Sequence, residues 1–131
     1  MNAAGAPKFL TREQVTALHR KLLEEHGGLD GVRDLGAIES VLMAAQNVWF
    51  YSEADLYEIA AAYAYHLAQA QAFYDGNKRV AVASAFTFLD LNHCADVADD
   101  EAIYSAMIAI AEHRMDRAGL AKVLRMQFPL K

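Results

Sequence analysis

Apolar residues recur three and four positions apart along most of this chain, and no segment alternates as a half-buried strand would. The first periodic segment follows Thr11-Arg12-Glu13-Gln14, a capping-box sequence with Thr11 as N-cap and Gln14 at the third helical position. Leu10 and Val15 are spaced to form the accompanying hydrophobic staple. Val15, Leu18, Leu22 and Leu23 then share one face, and Gly27-Gly28 ends the helix. A second helix begins after Asp34 and carries Ile38, Val41, Leu42 and Ala45 inward. Residues 47–51, with the run Val48-Trp49-Phe50-Tyr51, read as an aromatic connection.

Ser52-Glu53-Ala54-Asp55 opens a third helix, in which Leu56, Ile59, Tyr63, Leu67 and Ala70 follow at helical spacing. The next helix runs from near Asn77 to about Asn92. It is apolar almost all round, which predicts the central, most buried position. His93 to Ala98 reads as a turn or a short extended piece. Asp99-Asp100-Glu101 place acids at the start of a further helix through Ile103, Met107, Ile110 and Ala111. Asp116 is spaced to cap a last helix containing Leu120, Val123 and Leu124, and Pro129 stops it. The expectation is an all-α fold of about six helices in a single domain, 1–131, with residues 1–8 flexible.

Composition narrows the function classes. At 131 residues, 55% hydrophobic and 22% charged, the chain resembles an ordinary globular protein and not a disordered or fibrous one. A net charge of −5 argues against direct DNA binding, which needs a basic face to displace counterions. The single Cys94 excludes an internal disulfide and fits a reducing, cytoplasmic setting. No apolar leader is visible in Met1 to Pro7, and the longest apolar runs fall short of a membrane span.

Against this background one stretch carries chemistry: Gln71-Ala72-Phe73-Tyr74-Asp75-Gly76-Asn77-Lys78-Arg79. It is a short polar loop between two apolar helical segments, and it opens into a helix N-terminus. Unsatisfied amides and the positive end of the dipole favour an anion there. Gly76 allows close backbone approach. Lys78 and Arg79 add mobile positive charge, and Asp75 could hold a divalent cation beside phosphates. Cations at a helix start oppose the dipole, so their presence there points to a bound anion more than to a plain solvated face.

The loop resembles the signature of the Fic/Doc family, in its Doc (death-on-curing) branch. That signature reads His-x-Phe-x-Asp-Gly-Asn-Lys-Arg, and Phe73, Asp75, Gly76, Asn77, Lys78 and Arg79 fill all its specified positions but the first. The likeness extends through Leu10 to Glu25, Gly27-Gly28-Leu29, Asp34 to Ser40 and Ala61 to Leu67. It implies an all-helical toxin of a toxin–antitoxin pair, restrained by the C-terminal segment of a Phd-type antitoxin. In the Doc branch, with a lysine at position 78, it implies transfer of the γ-phosphoryl group of ATP, with Mg²⁺, to a hydroxyl of elongation factor Tu. The Fic branch implies nucleotidyl (AMP) transfer instead. Residue by residue, Gly76, Asn77 and Lys78 would form the phosphate-holding turn and Arg79 would contact phosphates. Asp75 would position the metal or hydroxyl, and Phe73 would anchor the loop.

The departure is Gln71, which stands where the family places its catalytic histidine. An amide hydrogen-bonds a hydroxyl but has no useful basicity, whereas imidazole accepts a proton near pH 6.5. Three accounts stay open: a deliberate substitution, a natural homologue that binds without catalysing, or a variant in which another group serves as base. His66, five residues upstream on a predicted helix, is badly placed to substitute.

Other residues favour plain roles. Asp75 could act only as a helix cap. Tyr74 reads as a rim residue, and His66 as a helix histidine facing the loop or a polar neighbour. His19, His26, His93 and His113 lack ligand spacing. Cys94 has no support as a nucleophile, and no Gly-x-x-x-x-Gly-Lys-Ser/Thr sequence is present.

Overall fold

Thr11 caps the first helix as its sequence predicts: its hydroxyl accepts the Gln14 N–H while the Gln14 side chain accepts the Thr11 N–H. The computed structural model describes residues 5–94 and 100–129, and among these the helices are α1 (Arg12–His26), α2 (Leu35–Ser52), α3 (Leu56–Ala70), α4 (Asn77–Leu91), α5 (Asp100–Ala111) and α6 (Arg117–Gln127). Asp34 and Asp116 cap α2 and α6 through their carboxylates, and Asp55 forms a second capping box with Glu58. Each cap satisfies amides that would otherwise lack partners, which fixes where the chain enters each helix. No strand occurs among the described residues; an isolated antiparallel bridge joins Val32 to Phe73. The all-α expectation holds.

Two expectations need correction. The aromatic run at 48–51 is no connection: α2 continues through it to Ser52, and Glu53 turns the chain in a left-handed conformation (φ 48°). Val48 is buried, Trp49 packs against the core, and Phe50 and Tyr51 face outward, because four successive residues on a helix point to different sides. Second, α3 and not α4 is the hub, packing against α2, α4, α5 and α6. Its Ala60, Ala61, Ala62 and Ala64 are all buried, and side chains this small let neighbours approach from several directions. Near the N-terminus, the Lys8 N–H donates to Asn92 Oδ1 at 2.8 Å and its carbonyl accepts from Asn92 Nδ2 at 3.0 Å. In α5, Ile103, Met107 and Ile110 are buried, but Ala111 faces outward. Of the predicted turn from His93 to Ala98, residues 95–98 lie outside the described residues, as does Asp99.

The core runs from Val15 through Ile38, Ile59, Tyr63, Phe73 and Phe88 to Leu124. Tyr63 is fully buried, and its hydroxyl accepts the Leu10 N–H at 2.9 Å. The Tyr57 hydroxyl donates to the Phe128 carbonyl, tying α3 to the end of α6. None of the helices in the described residues is long and apolar enough to cross a membrane.

Candidate functional site

The chain leaves α3 through Gln71, which adopts a left-handed conformation (φ 52°, ψ 41°) and turns residues 71–76 back toward α1. Phe73 is the buried centre of this turn, 1% exposed. Asn77, the first residue of α4, folds its amide back over it. Its Oδ1 accepts the Phe73 N–H at 3.1 Å and its Nδ2 donates to the Phe73 carbonyl at 2.9 Å. A longer bond of 3.4 Å runs from the same Nδ2 to Gln71 Oε1. The Asn77 side chain thus holds the loop's shape, and at 9% exposure it has little surface to offer a ligand.

A second loop, residues 27–34, braces the first. The Ala72 carbonyl accepts the N–H groups of both Arg33 and Asp34, at 2.8 and 3.0 Å. Arg33 Nη1 donates to the Gln71 carbonyl at 3.2 Å. Asp75 bridges the two loops: Oδ1 accepts the Gly76 N–H at 2.9 Å and Oδ2 accepts the Leu29 N–H at 3.3 Å. Gly28 makes room for that carboxylate, since a Cβ there would lie 2.8 Å from Oδ2. The simple cap reading of Asp75 is therefore corrected. Gly76 is the N-cap of α4, in a left-handed conformation at φ 75°, and no side chain caps the helix.

His19, on α1, went unnoticed in the sequence as a site residue. It is buried at 3% exposure, and its Nε2 lies 2.7 Å from the Asp75 carbonyl oxygen. Because that oxygen can only accept, Nε2 carries the proton. The imidazole stacks on Phe73 with ring centroids 3.8 Å apart. A signal existed: His19 stands four residues after Val15 and four before Leu23, on the face that turns inward.

The consequence for chemistry is an uncapped helix start. The first helical bond of α4 runs from the Val80 N–H to the Gly76 carbonyl, so the amides of Asn77, Lys78 and Arg79 have no intrahelical acceptor. Lys78 and Arg79 are exposed and have no carboxylate partner among the described residues. These groups, with Gln71, Tyr74 and Asp75, line an open depression of about 410 Å³. Three free amides, a helix dipole and two unpaired cations make this surface suited to a polyanion. Gln71, on its rim, donates through Nε2 to the Ala68 carbonyl at 3.2 Å.

The remaining candidates lie elsewhere. His66 does not reach this loop; its Nε2 lies 3.4 Å from Arg117 Nη1, in a separate cavity of about 390 Å³ between α2, α3 and α6. Burial first, and then the Arg117 charge, lower its pKa from the ordinary histidine value. Cys94 is buried, and burial pushes its thiol up, away from the reactive thiolate. Among the described residues no three His, Cys, Asp or Glu side chains gather as a metal cluster.

An all-helical bundle with a glycine-turned, cationic loop opening its inner helix defines a recognisable class. Residues 9–89 match the model of the Fic/DOC family, and the chain belongs to that family. It is also similar to the protein kinase doc of Escherichia phage P1, with 31% identity over 119 residues, covering 90% of this chain and 94% of that relative.

Proposed function

We propose that this chain is a Doc-like toxin scaffold that grips ATP at the start of α4 and directs its γ-phosphoryl group toward a hydroxyl of a translation factor. The observation that carries the reading is the trio of uncapped amides at 77–79, flanked by the unpaired Lys78 and Arg79. A phosphoryl transition state spreads charge over several oxygens and needs clamping more than covalent help, which such a surface supplies. The Gly76–Asn77–Lys78 turn would bind through its backbone, and the side chains of Lys78 and Arg79 would neutralise the phosphates. Mg²⁺ fits as a partner of Asp75, whose exposed carboxylate keeps lone pairs beyond its two amide bonds; bound with phosphates, the ion would neutralise their charge. By the family resemblance the target is elongation factor Tu and the inhibitor the C-terminal segment of a Phd-type antitoxin.

By the family resemblance, position 71 would sit where the accepting hydroxyl loses its proton, and Gln71 lines the rim of the depression. Glutamine there orients a hydroxyl without removing that proton, and losing a general base costs roughly 10²–10⁴ in rate. The protein with Gln71 is accordingly severely impaired in transfer. A second reading has its own support: the Gln71 amide is already bonded to Ala68 and Asn77, an arrangement that stabilises the loop and suits a nucleotide-binding module without catalysis.

The test compares the native protein with Gln71→His for transfer of α- and γ-labelled phosphate from ATP to elongation factor Tu. The substitution is sterically mild, since histidine is among the residues that tolerate a left-handed backbone. A rise of roughly 10²–10⁴ in γ-label transfer supports the kinase reading. Label arriving from the α position would make the activity AMP transfer. A native protein as fast as the variant would remove position 71 from the role of base.

A further inference from the structure

The peptide plane joining Asp75 to Gly76 is clamped on both edges. Its carbonyl oxygen faces His19 Nε2 at 2.7 Å, and its N–H faces the Asp75 carboxylate at 2.9 Å. Glycine at 76 makes this clamp consequential. The observed φ of 75° is open to glycine at no steric cost, but so is the negative φ that results when the same plane turns over. The backbone alone does not choose between the two orientations. In the orientation seen, the carbonyl points inward to α1, and the amides at the start of α4 present donors only. Turned over, the carbonyl would leave His19 and point to the side where the Gly76 N–H now lies, beside Asp75 and the depression. An oxygen dipole there repels the anion that the amides of 77–79 attract.

We propose that His19 is a positioning residue: it selects the inward orientation of the 75–76 peptide and so keeps the α4 cradle all-donor and able to hold a polyphosphate. The ring is well fixed for this. It is 3% exposed, lies on Phe73 with planes 15° apart, and sits so close to Gly76 that a Cβ there would be 3.6 Å from Nε2. His19 touches no ligand itself; it acts through one carbonyl. The proposal rests on the polyphosphate reading of the depression and adds the residue that sets its polarity.

Two substitutions separate the donor from the packing. His19→Phe keeps a flat ring on Phe73 and loses the N–H, while His19→Gln loses the ring and keeps a donor near the Nε2 position. Each protein is titrated calorimetrically with inorganic tripolyphosphate, and its melting temperature is measured alongside. The native protein binds, the phenylalanine variant binds roughly tenfold more weakly, the weight of one hydrogen bond, and the glutamine variant recovers most of the loss. A purely structural role would order the affinities by melting temperature, with the better-stacked phenylalanine ahead. Equal affinity of the phenylalanine and native proteins, or a glutamine variant no better than phenylalanine, overturns the proposal. Should the phenylalanine variant fail to fold, His19→Met against His19→Gln makes the same comparison, and equal affinities again overturn it. A native protein that does not bind tripolyphosphate removes the cradle itself, a different result from a cradle indifferent to position 19.

Discussion

The side-chain amide of Asn77 satisfies both backbone groups of Phe73, accepting its N–H and donating to its carbonyl four residues upstream. This pair closes the loop that presents the helix start, and it is buried. Asn77→Ala would leave a buried N–H and carbonyl without partners, at a cost of about 1–3 kcal/mol. Asn77→Asp keeps the acceptor toward the Phe73 N–H but sets a charged oxygen against the buried Phe73 carbonyl, so it too should fall short of the native stability. Urea unfolding of the three proteins checks the order. An alanine variant as stable as the native protein would mean that the loop is held by other contacts.

Gly28 tests whether the position of Asp75 matters. Its φ of 121° strains any side chain, and a Cβ would press within 2.8 Å of the Asp75 carboxylate. Gly28→Ala should cost more than about 1 kcal/mol and should also weaken binding of MgATP, because Asp75 must move. Gly27→Ala is the control: its φ of 77° is strained too, but a Cβ there meets nothing within 4 Å. The account expects Gly28→Ala to be the more destabilised, through the added clash, and only Gly28→Ala to lose nucleotide affinity. Equal affinities would detach Asp75 from the ligand.

His66 gives a prediction about acid. Burial and the facing Arg117 hold its pKa below the ordinary histidine value, so the unfolded chain takes up this proton at higher pH than the folded one. The contribution to stability is complete above about pH 6.5 and is lost as pH falls from there through the lowered folded value. Glu58, Tyr65 and Asp116 line the same cavity. Thermal melts at stepped pH should show a shallower acid decline in His66→Gln. In Arg117→Gln the imidazole titration, followed by NMR, should move upward. An unchanged midpoint would mean that Arg117 does not act on this ring.

Local chemistry made much of this fold legible. Thr11, Asp34, Asp55 and Asp116 announce helix starts because a cap is decided within four residues of chain. The motif loop was visible for the same reason. What the sequence concealed is non-local. Nothing near Asp75 says that His19, 56 residues earlier, meets its carbonyl. Nor does Gly28 reveal that its missing side chain is the space for a carboxylate in another loop. The run at 48–51 misled because aromatic, apolar residues in sequence fit a connection and a helix end equally well, and the left-handed turn at Glu53 carries no glycine to mark it. Periodicity placed α4 at the centre, yet the small alanines of α3 decide how closely neighbours pack, and that gave α3 the hub.

The most direct measurement is the response of the backbone amides to MgATP in a ¹H–¹⁵N correlation spectrum of the native protein. The amides of Gly76, Asn77, Lys78 and Arg79 should shift together and saturably, and the shifts should vanish in a Lys78→Ala, Arg79→Ala double variant. Shifts centred instead on the His66–Arg117 cavity, or a spectrum that MgATP leaves unchanged, would contradict a polyphosphate cradle at the start of α4.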